Sequence, residues 1–269
     1  KPGYNCTDSI TLIRCTIIIC KAVKLMRVLV NISYNGRDFS GFQYQHDYRT
    51  VQGTIEKQLK RMHKTFVRIH ASSRTDAGVH ALNQYFHFDT EIDLPPEKWK
   101  FILNRAMPKD ILINDVSIAA DDFHSRFDAK GKTYRYKVYT GEKNPFYDGL
   151  KTHYPYKLDI SKMKEAMAPF IGTHDFTTFS SAKAEITNKV RTITAFEVTE
   201  TPDGYEFTIT GTGFLYNMVR VLTAYVLECG RGIRTPDTLN MIAAKDRTVI
   251  PKTAPAEGLY LEKVWYEKL

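Results

Sequence analysis

The chain has 269 residues, which is enough for one large domain or two small ones around a proper hydrophobic core. Hydrophobic residues make up 43% and charged residues 25%, the proportions of an ordinary soluble globular protein. Four scattered cysteines without a CxxC pair exclude a disulfide scaffold and a cysteine zinc site, and they suggest a reducing, cytoplasmic location. The net charge of +8 favours a polyanionic partner.

The first 25 residues differ in composition from the rest of the chain. Residues 10–20, ITLIRCTIIIC, are apolar but interrupted by Arg14, and the stretch is too short to cross a bilayer. It resembles the apolar stretch of a signal peptide, although no clear small-residue cleavage site follows it. We interpret residues 1–25 as an appendage, expect the body to begin at Met26, and predict no membrane partner.

The first half of the body, residues 26–122, alternates between strand and helix patterns. Strands are predicted over residues 28–34, 66–69, 82–89 and 111–118. One predicted helix has an apolar face from Val51 to Met62, and a second is opened by Pro95-Pro96 and stopped by Pro108. The predicted order is βαββαβ.

The second half, residues 123–269, repeats this order. Strands are predicted over residues 133–140, 190–199, 205–210 and 259–266. Helices are predicted from a cap at Asp159 to Gly172, over 214–228, and, as a short insertion, over 236–244. Two successive βαββαβ units predict an α+β fold of two ferredoxin-like halves with largely antiparallel sheets and a central cleft between them.

Positive charge is concentrated in two runs. Residues 57–74 hold six Lys or Arg and no acid, and residues 130–137 hold four and no acid. Each run alone is typical of a solvated basic face. Because each lies beside an aromatic-rich strand, the pair favours a nucleic acid as partner, bound in the cleft between the halves.

Several common catalytic motifs are missing from the sequence. There is no GxxxxGK[ST] loop, no GxGxxG fingerprint and no HExxH pair. The eight histidines are scattered without the spacing of metal ligands. We therefore predict no metal site, and a metal-dependent nuclease lacks the paired acidic ligands that it needs.

Asp76 lies in the stretch SSRTDAGVHALNQYFHF, residues 72–88. An Asp before Ala-Gly commonly accepts backbone hydrogen bonds in a turn, and that remains one interpretation. The other is that Asp76 is reactive. Gly78 lets the backbone turn tightly or lets a ligand come close, and in an extended chain Arg74 shares a face with Asp76. A nearby guanidinium would keep the carboxylate ionised and nucleophilic.

The segment SRTDAGVHA, residues 73–81, closely resembles the defining motif of the tRNA pseudouridine synthase A (TruA) family. The resemblance extends from Met26 to about Leu269. Further matching segments occur in the family's order: YNGRDFSGFQYQ (34–45), TVQGTIEKQL (50–59), DDFHSRFDAKGKTYRY (121–136), GTHDF (172–176), FLYNMVR (214–220) and AEGLYL (256–261).

This resemblance implies a role for four residues. Asp76 is the expected catalytic residue, and Tyr134 is expected to stack against the target uracil. Arg220 is expected to pair with the aspartate, and Arg74 to hold RNA near the flipped nucleotide. The physical chemistry agrees, since a uracil ring offers a π-face to an aromatic platform and an arginine on an apolar helix face needs an anionic partner.

The implied activity is that of an isomerase that converts uridine to pseudouridine in tRNA without a cofactor. Asp76 would act at the ribose, by attack on C1′ or by removal of the C2′ proton. The resemblance further implies uridines 38, 39 and 40 of the anticodon arm as targets, and a homodimer. Two features depart from the family: residues 1–25 have no counterpart, and Phe42 stands where tryptophan is common.

The main alternative is a non-catalytic protein with two RRM-like modules, since an RRM has the same βαββαβ order. An RRM carries the motif K/R-G-F/Y-G/A-F-V-x-F/Y on its third strand. Residues 82–89, LNQYFHFD, have the aromatics without the glycine pattern. Release of tritium from uridine C5 would distinguish the synthase from a protein that only binds RNA.

Overall fold

The computed structural model describes residues 25–181 and 186–267 of the chain. The predicted appendage therefore lies outside the described residues, except for Leu25. Within the described residues, no helix combines the length and the apolar character that crossing a membrane requires.

The first half, residues 26–122, contains four strands and two helices. They are β1 (Met26–Tyr34), α1 (Val51–His63), β2 (His70–Ala71), β3 (His80–Thr90), α2 (Pro96–Ala106) and β4 (Ile111–Ala119). The second half contains β5 (Gly131–Tyr139), β6 (Thr152–His153), α3 (Ile160–Met167), β7 (Gly172–Asp175), β8 (Val190–Thr201), β9 (Gly204–Gly211), α4 (Met218–Gly230), α5 (Thr238–Ala244) and β10 (Leu259–Trp265).

The strands form one continuous sheet in the order β4-β1-β3-β10-β5-β9-β8-β7, with β2 added beside β3 and β6 beside β5. Neighbouring strands are antiparallel except for β10 with β3 and β5 with β6. The prediction of an α+β fold with largely antiparallel sheets is confirmed. The two halves join where β10 pairs with β3, through Tyr260 opposite His80 and Leu261 opposite Ala81. Because the sheet is continuous, the boundary at residue 122 stays a prediction.

One hydrophobic core runs under both halves. Strand alternation builds its sheet side: Val28, Val30 and Ile32 of β1 all point into it and are completely buried. α4 is unusual because every residue in it except Arg220 is buried. A helix buried all round can expose a charged side chain only where a cavity reaches it, so the position of Arg220 locates the cleft.

Two predicted boundaries are wrong. The segment 66–69 is not a strand, because the backbone N–H of Ile69 donates to the buried side chain of Glu56, at 3.1 Å, instead of to a neighbouring strand. The helix predicted from Phe214 begins at Met218, because Asn217 adopts a left-handed conformation with φ of 61°. β7 was missed, since GTHD has too few residues to show an alternating pattern.

Candidate active site

A cavity of about 1280 Å³ opens between the loop after β2, the start of β5 and the first turn of α4. Its wall includes all four residues predicted from the sequence: Arg74 and Asp76 from the first half, and Tyr134 and Arg220 from the second. The cavity lies between the two halves, where the central cleft was predicted.

The loop that carries Asp76 is held by hydrogen bonds from both sides. Gln84 on β3 donates to the carbonyl of Ser73 at 2.8 Å and accepts from the Ser72 hydroxyl. On the other side, the backbone N–H of Phe42 donates to the carbonyl of Thr75 at 3.0 Å. The Thr75 hydroxyl is 2.7 Å from the Tyr34 hydroxyl. A loop without regular secondary structure is therefore fixed in place.

Two glycines allow the segment after β1 to lie directly against this loop. A Cβ atom on Gly36 would be 1.9 Å from the carbonyl oxygen of Val79, which no side chain could tolerate. Gly41 has φ of +89°, and its Cβ would be 2.9 Å from the carbonyl oxygen of Thr75. These close approaches explain why the segment YNGRDFSGF has glycine at both positions.

Asp76 and Arg220 form an ion pair across the cavity. Nη1 of Arg220 donates to Oδ2 of Asp76 at 3.1 Å, and about a fifth of each side chain is exposed (18% and 22%). The guanidinium also donates to the carbonyl of Ala254 at 2.7 Å and to Oδ1 of Asn217 at 3.1 Å. With three acceptors, the guanidinium has a fixed orientation, and it fixes the carboxylate in turn.

Burial raises the pKa of Asp76 above its ordinary value, and the charge and hydrogen bond of Arg220 offset part of that increase. The sequence predicted correctly that a guanidinium favours the ionised form, but it missed the larger effect of burial. Of the two arginines expected near Asp76, Arg220 makes the contact and Arg74 does not. A carboxylate with a raised pKa is more basic than an exposed one, which suits a nucleophile or a proton acceptor.

Tyr134 lies on β5 with its ring in the cavity wall and only 7% of its surface exposed. Its hydroxyl is 3.2 Å from the hydroxyl of Ser73, and the edge of its ring meets Phe214 at 5.1 Å between centroids. Burial raises the pKa of Tyr134 to about 12, so the phenol is neutral at physiological pH. The Ser73 contact joins the first half of the chain to the second.

Arg74 differs from the other three residues. Its side chain is exposed at the cavity wall, and within the described ranges it has neither a hydrogen bond nor an ion pair. The shared face expected from the sequence does not bring Arg74 into contact with Asp76, whose ion-pair partner is Arg220. An exposed guanidinium beside a cavity is suited to a phosphate group.

Sequence comparisons decide the family. The family model described as tRNA pseudouridine synthase matches residues 31–128 and 166–267. This chain belongs to the tRNA pseudouridine synthase family. The tRNA pseudouridine synthase A of Staphylococcus saprophyticus is 56% identical over 242 residues, and that of Staphylococcus carnosus is 57% identical over 242 residues. Each alignment covers 89% of this chain and 91% of the relative.

A solved structure gives a more distant likeness. A chain in the crystal structure of the archaeal box H/ACA sRNP Nop10-Cbf5 complex matches 76% of this chain and 44% of its own length. The sequence identity is 11% and the TM-score 0.35, too low to bear on the details of the site.

In this member of the tRNA pseudouridine synthase family, the cavity wall holds further residues that the sequence did not single out. Lys132 precedes Tyr134 by two positions and shares its face of β5, a spacing that could have identified it. Burial, helped by the charge of Arg126, lowers the pKa of Lys132 to about 8. Arg68, Arg126 and Phe127 also line the cavity. Both basic runs thus contribute cations to this wall.

Among residues 25–181 and 186–267, no group of three or more His, Cys, Asp or Glu side chains is arranged to hold a metal ion. The expected absence of a metal and of a cofactor in this family member stays a prediction.

Proposed function

We propose that Asp76 is the catalytic residue with which this chain converts uridine to pseudouridine in tRNA. The activity itself, that of an isomerase, follows from the family and from relatives that are 56–57% identical over most of both chains. The observation that supports Asp76 is its ion pair with Arg220 at 3.1 Å, in a cavity whose wall also presents the ring of Tyr134.

The reaction needs no added atoms. The bond between C1′ of the ribose and N1 of the uracil breaks, the base turns, and C5 bonds to C1′. C5 then loses its proton to a base, and N1 gains one. Asp76 begins this sequence by attack on C1′ or by removal of the C2′ proton, and both routes require the unprotonated carboxylate. A single buried carboxylate oriented by a guanidinium meets that requirement.

Tyr134 is proposed as the platform for the target uracil. A phenol with a pKa of about 12 remains protonated at neutral pH, so it is a poor acceptor for the C5 proton. Its aromatic face and its place beside the Asp76 loop favour stacking. Arg74, exposed at the same wall, would contact a phosphate of the RNA.

The motif resemblance supports a finer proposal about the substrate. The target uridines are those at positions 38, 39 and 40 of the anticodon arm, bound by a cytoplasmic homodimer. A base in a folded stem must leave the stack to reach a carboxylate inside a cavity. A volume of about 1280 Å³ has room for an extruded nucleotide. Mapping of the modified positions in tRNA after incubation with the protein tests this assignment.

The test of Asp76 uses a tRNA transcript with tritium at uridine C5. We expect the wild type to release tritium, and Asp76→Asn to lower the rate by about 10³-fold or more, because the amide cannot act as nucleophile or base. The affinity for tRNA should change little. Asp115→Asn is a matched control, since Asp115 is exposed on β4 and outside the cavity wall. Turnover by Asp76→Asn at the wild-type rate would remove Asp76 from the mechanism.

A further inference from the structure

The turn between the two halves presents an aromatic ring to the cavity. Phe127 lines the cavity wall, and 73% of its surface is exposed. One side of its ring packs against the ring of His124, at 4.3 Å between centroids. An apolar ring with this exposure, at the mouth of a binding cavity, is available to a ligand.

The backbone around Phe127 is held by local hydrogen bonds. Nδ1 of His124 accepts from the backbone N–H of Arg126 at 3.1 Å and from that of Phe127 at 3.4 Å. The N–H of His124 donates to Oδ2 of Asp128 at 2.6 Å, and the N–H of Asp128 donates back to the carbonyl of His124 at 3.0 Å. These two bonds between His124 and Asp128 connect the first and last residues of the turn.

The same turn is anchored to the sheet. Ser125 is completely buried, and its N–H donates to Nδ1 of His87 on β3 at 3.2 Å. Its carbonyl accepts from the hydroxyl of Tyr266, just after β10, at 2.8 Å. The backbone that carries the Phe127 ring is therefore set before any ligand arrives, which lowers the entropic cost of binding at this turn.

Positive charge surrounds the ring. The guanidinium of Arg126 lies 5.8 Å from the centre of the Phe127 ring, and Arg126 is close enough to Lys132 to lower the pKa of that amine. In the part of the chain that the structure describes, neither Arg126 nor Lys132 has an ion-pair partner. The nearest acid along the chain, Asp128, already accepts a hydrogen bond from the turn. An aromatic face beside unpaired cations suits a nucleotide, which has both a π-face and a phosphate.

We propose that Phe127 is a stacking platform for an unpaired base next to the target uridine, with Arg126 and Lys132 facing the phosphate of that nucleotide. This inference rests on the proposed function. Lys132 and Tyr134 share one face of β5 and are about 7 Å apart along the strand. Phe127 and Tyr134 line the same cavity, so a nucleotide on Phe127 would share it with a uracil on Tyr134, and a protein ligand at Phe127 would obstruct it.

The first test compares variants by steady-state release of tritium from tRNA. We expect Phe127→Ala to raise KM about tenfold and to change kcat less than about twofold, since a base-stacking contact is lost while Asp76 and Tyr134 are intact. Phe127→Trp should restore KM, and Phe127→Leu should not, because a leucine has no aromatic face. Phe146→Ala is the matched control, since Phe146 is 85% exposed and lies outside the cavity wall. Equal KM values for Phe127→Ala and Phe146→Ala would overturn the proposal.

The second test does not depend on turnover. In the Asp76→Asn background, tRNA carrying 2-aminopurine beside the target position is titrated with protein. If the 2-aminopurine stacks on Phe127, its fluorescence should be quenched. Phe127→Ala should abolish this quenching, and Phe146→Ala should preserve it. Quenching that survives Phe127→Ala would overturn the platform. A wild type that binds tRNA without releasing tritium would contradict the proposed function and leave this fluorescence comparison intact as a test of stacking.

Discussion

The two walls of the cavity are built in different ways. The first-half wall is the loop at residues 72–79, which has neither helix nor strand and is held by hydrogen bonds from Tyr34, Phe42 and Gln84. The second-half wall is regular secondary structure, with Tyr134 inside β5 and Arg220 in the first turn of α4. The carboxylate that we propose as catalytic is thus on the loop, and Arg220 and Tyr134, proposed to orient it and the substrate, are on a helix and a strand.

This difference indicates how a loop can hold a side chain in a fixed position. A strand or helix fixes its side chains through its own backbone hydrogen bonds, whereas the Asp76 loop depends on contacts with three other segments of the chain. Changes in the second-half wall should therefore alter chemistry with little loss of stability. Changes in the segments that pack against the Asp76 loop should affect stability and chemistry together.

The largest effect on the reaction rate is expected from Arg220→Met, which removes the positive charge of Arg220 from the second-half wall. Without the guanidinium, burial alone acts on Asp76, so its pKa rises further above the ordinary value. Because the unprotonated carboxylate is required, the acid limb of kcat/KM moves to higher pH, and the rate at pH 7 falls about 10²-fold.

Arg220→Lys is the control for this prediction. It keeps a positive charge near Asp76 but loses the contact of Nε with the Ala254 carbonyl. The rate should fall, while the acid limb remains close to its wild-type position. An unshifted acid limb in Arg220→Met would show that the arginine does not influence the ionisation of Asp76.

Gly36→Ala tests whether the segment after β1 supports the loop that carries Asp76. The new Cβ would lie 1.9 Å from the Val79 carbonyl oxygen, so the backbone must move. The N–H of Val79 donates to the carbonyl of Asp76 at 3.1 Å, and the displacement therefore reaches the carboxylate. We expect a loss of about 2 kcal/mol in the free energy of unfolding, measured in urea, together with a lower kcat.

Gly141→Ala is the matched control, because a Cβ on Gly141 meets nothing within 4 Å. Its stability should stay within about 0.5 kcal/mol of the wild type. If both substitutions were equally mild, the segment after β1 would not be supporting the loop.

The smallest effect concerns the hydrogen bond that joins the walls, between Ser73 and Tyr134 at 3.2 Å. Ser73→Ala and Tyr134→Phe should each lower kcat/KM about fivefold, the usual contribution of one hydrogen bond. If Ser73 acts through the phenol, the double variant should be no slower than the slower single variant. Multiplied effects in the double variant would show that the two hydroxyls act independently.

Local patterns in the sequence predicted most of the fold. Alternating residues located β1, β3 and β5, because one face of each is buried, and proline and glycine located the helix ends. The patterns failed where a side chain replaced the usual backbone partner, as Glu56 does for Ile69, and where Asn217 interrupts an apolar run. Neither event leaves a periodic signal.

The motifs identified the residues of the candidate site and one of its contacts, but not the others. Asp76, Arg74, Tyr134 and Arg220 were all predicted, and all four line the cavity. The partner of Asp76, Arg220, is 144 positions away in the sequence, so it was expected from the motif resemblance and not from local spacing. Ser73 was missed because its importance depends on which loop and strand face each other across the cavity.

The pairing of β10 with both β3 and β5 has a consequence for how the protein forms. β10 comes after every other strand and helix described here, yet it occupies the middle of the sheet and joins the strands of one half to those of the other. During synthesis, the earlier segments can form two incomplete halves, but β10, which unites them, is made after all of these segments. The nascent chain therefore cannot assemble the cavity between the two halves until β10 has left the ribosome.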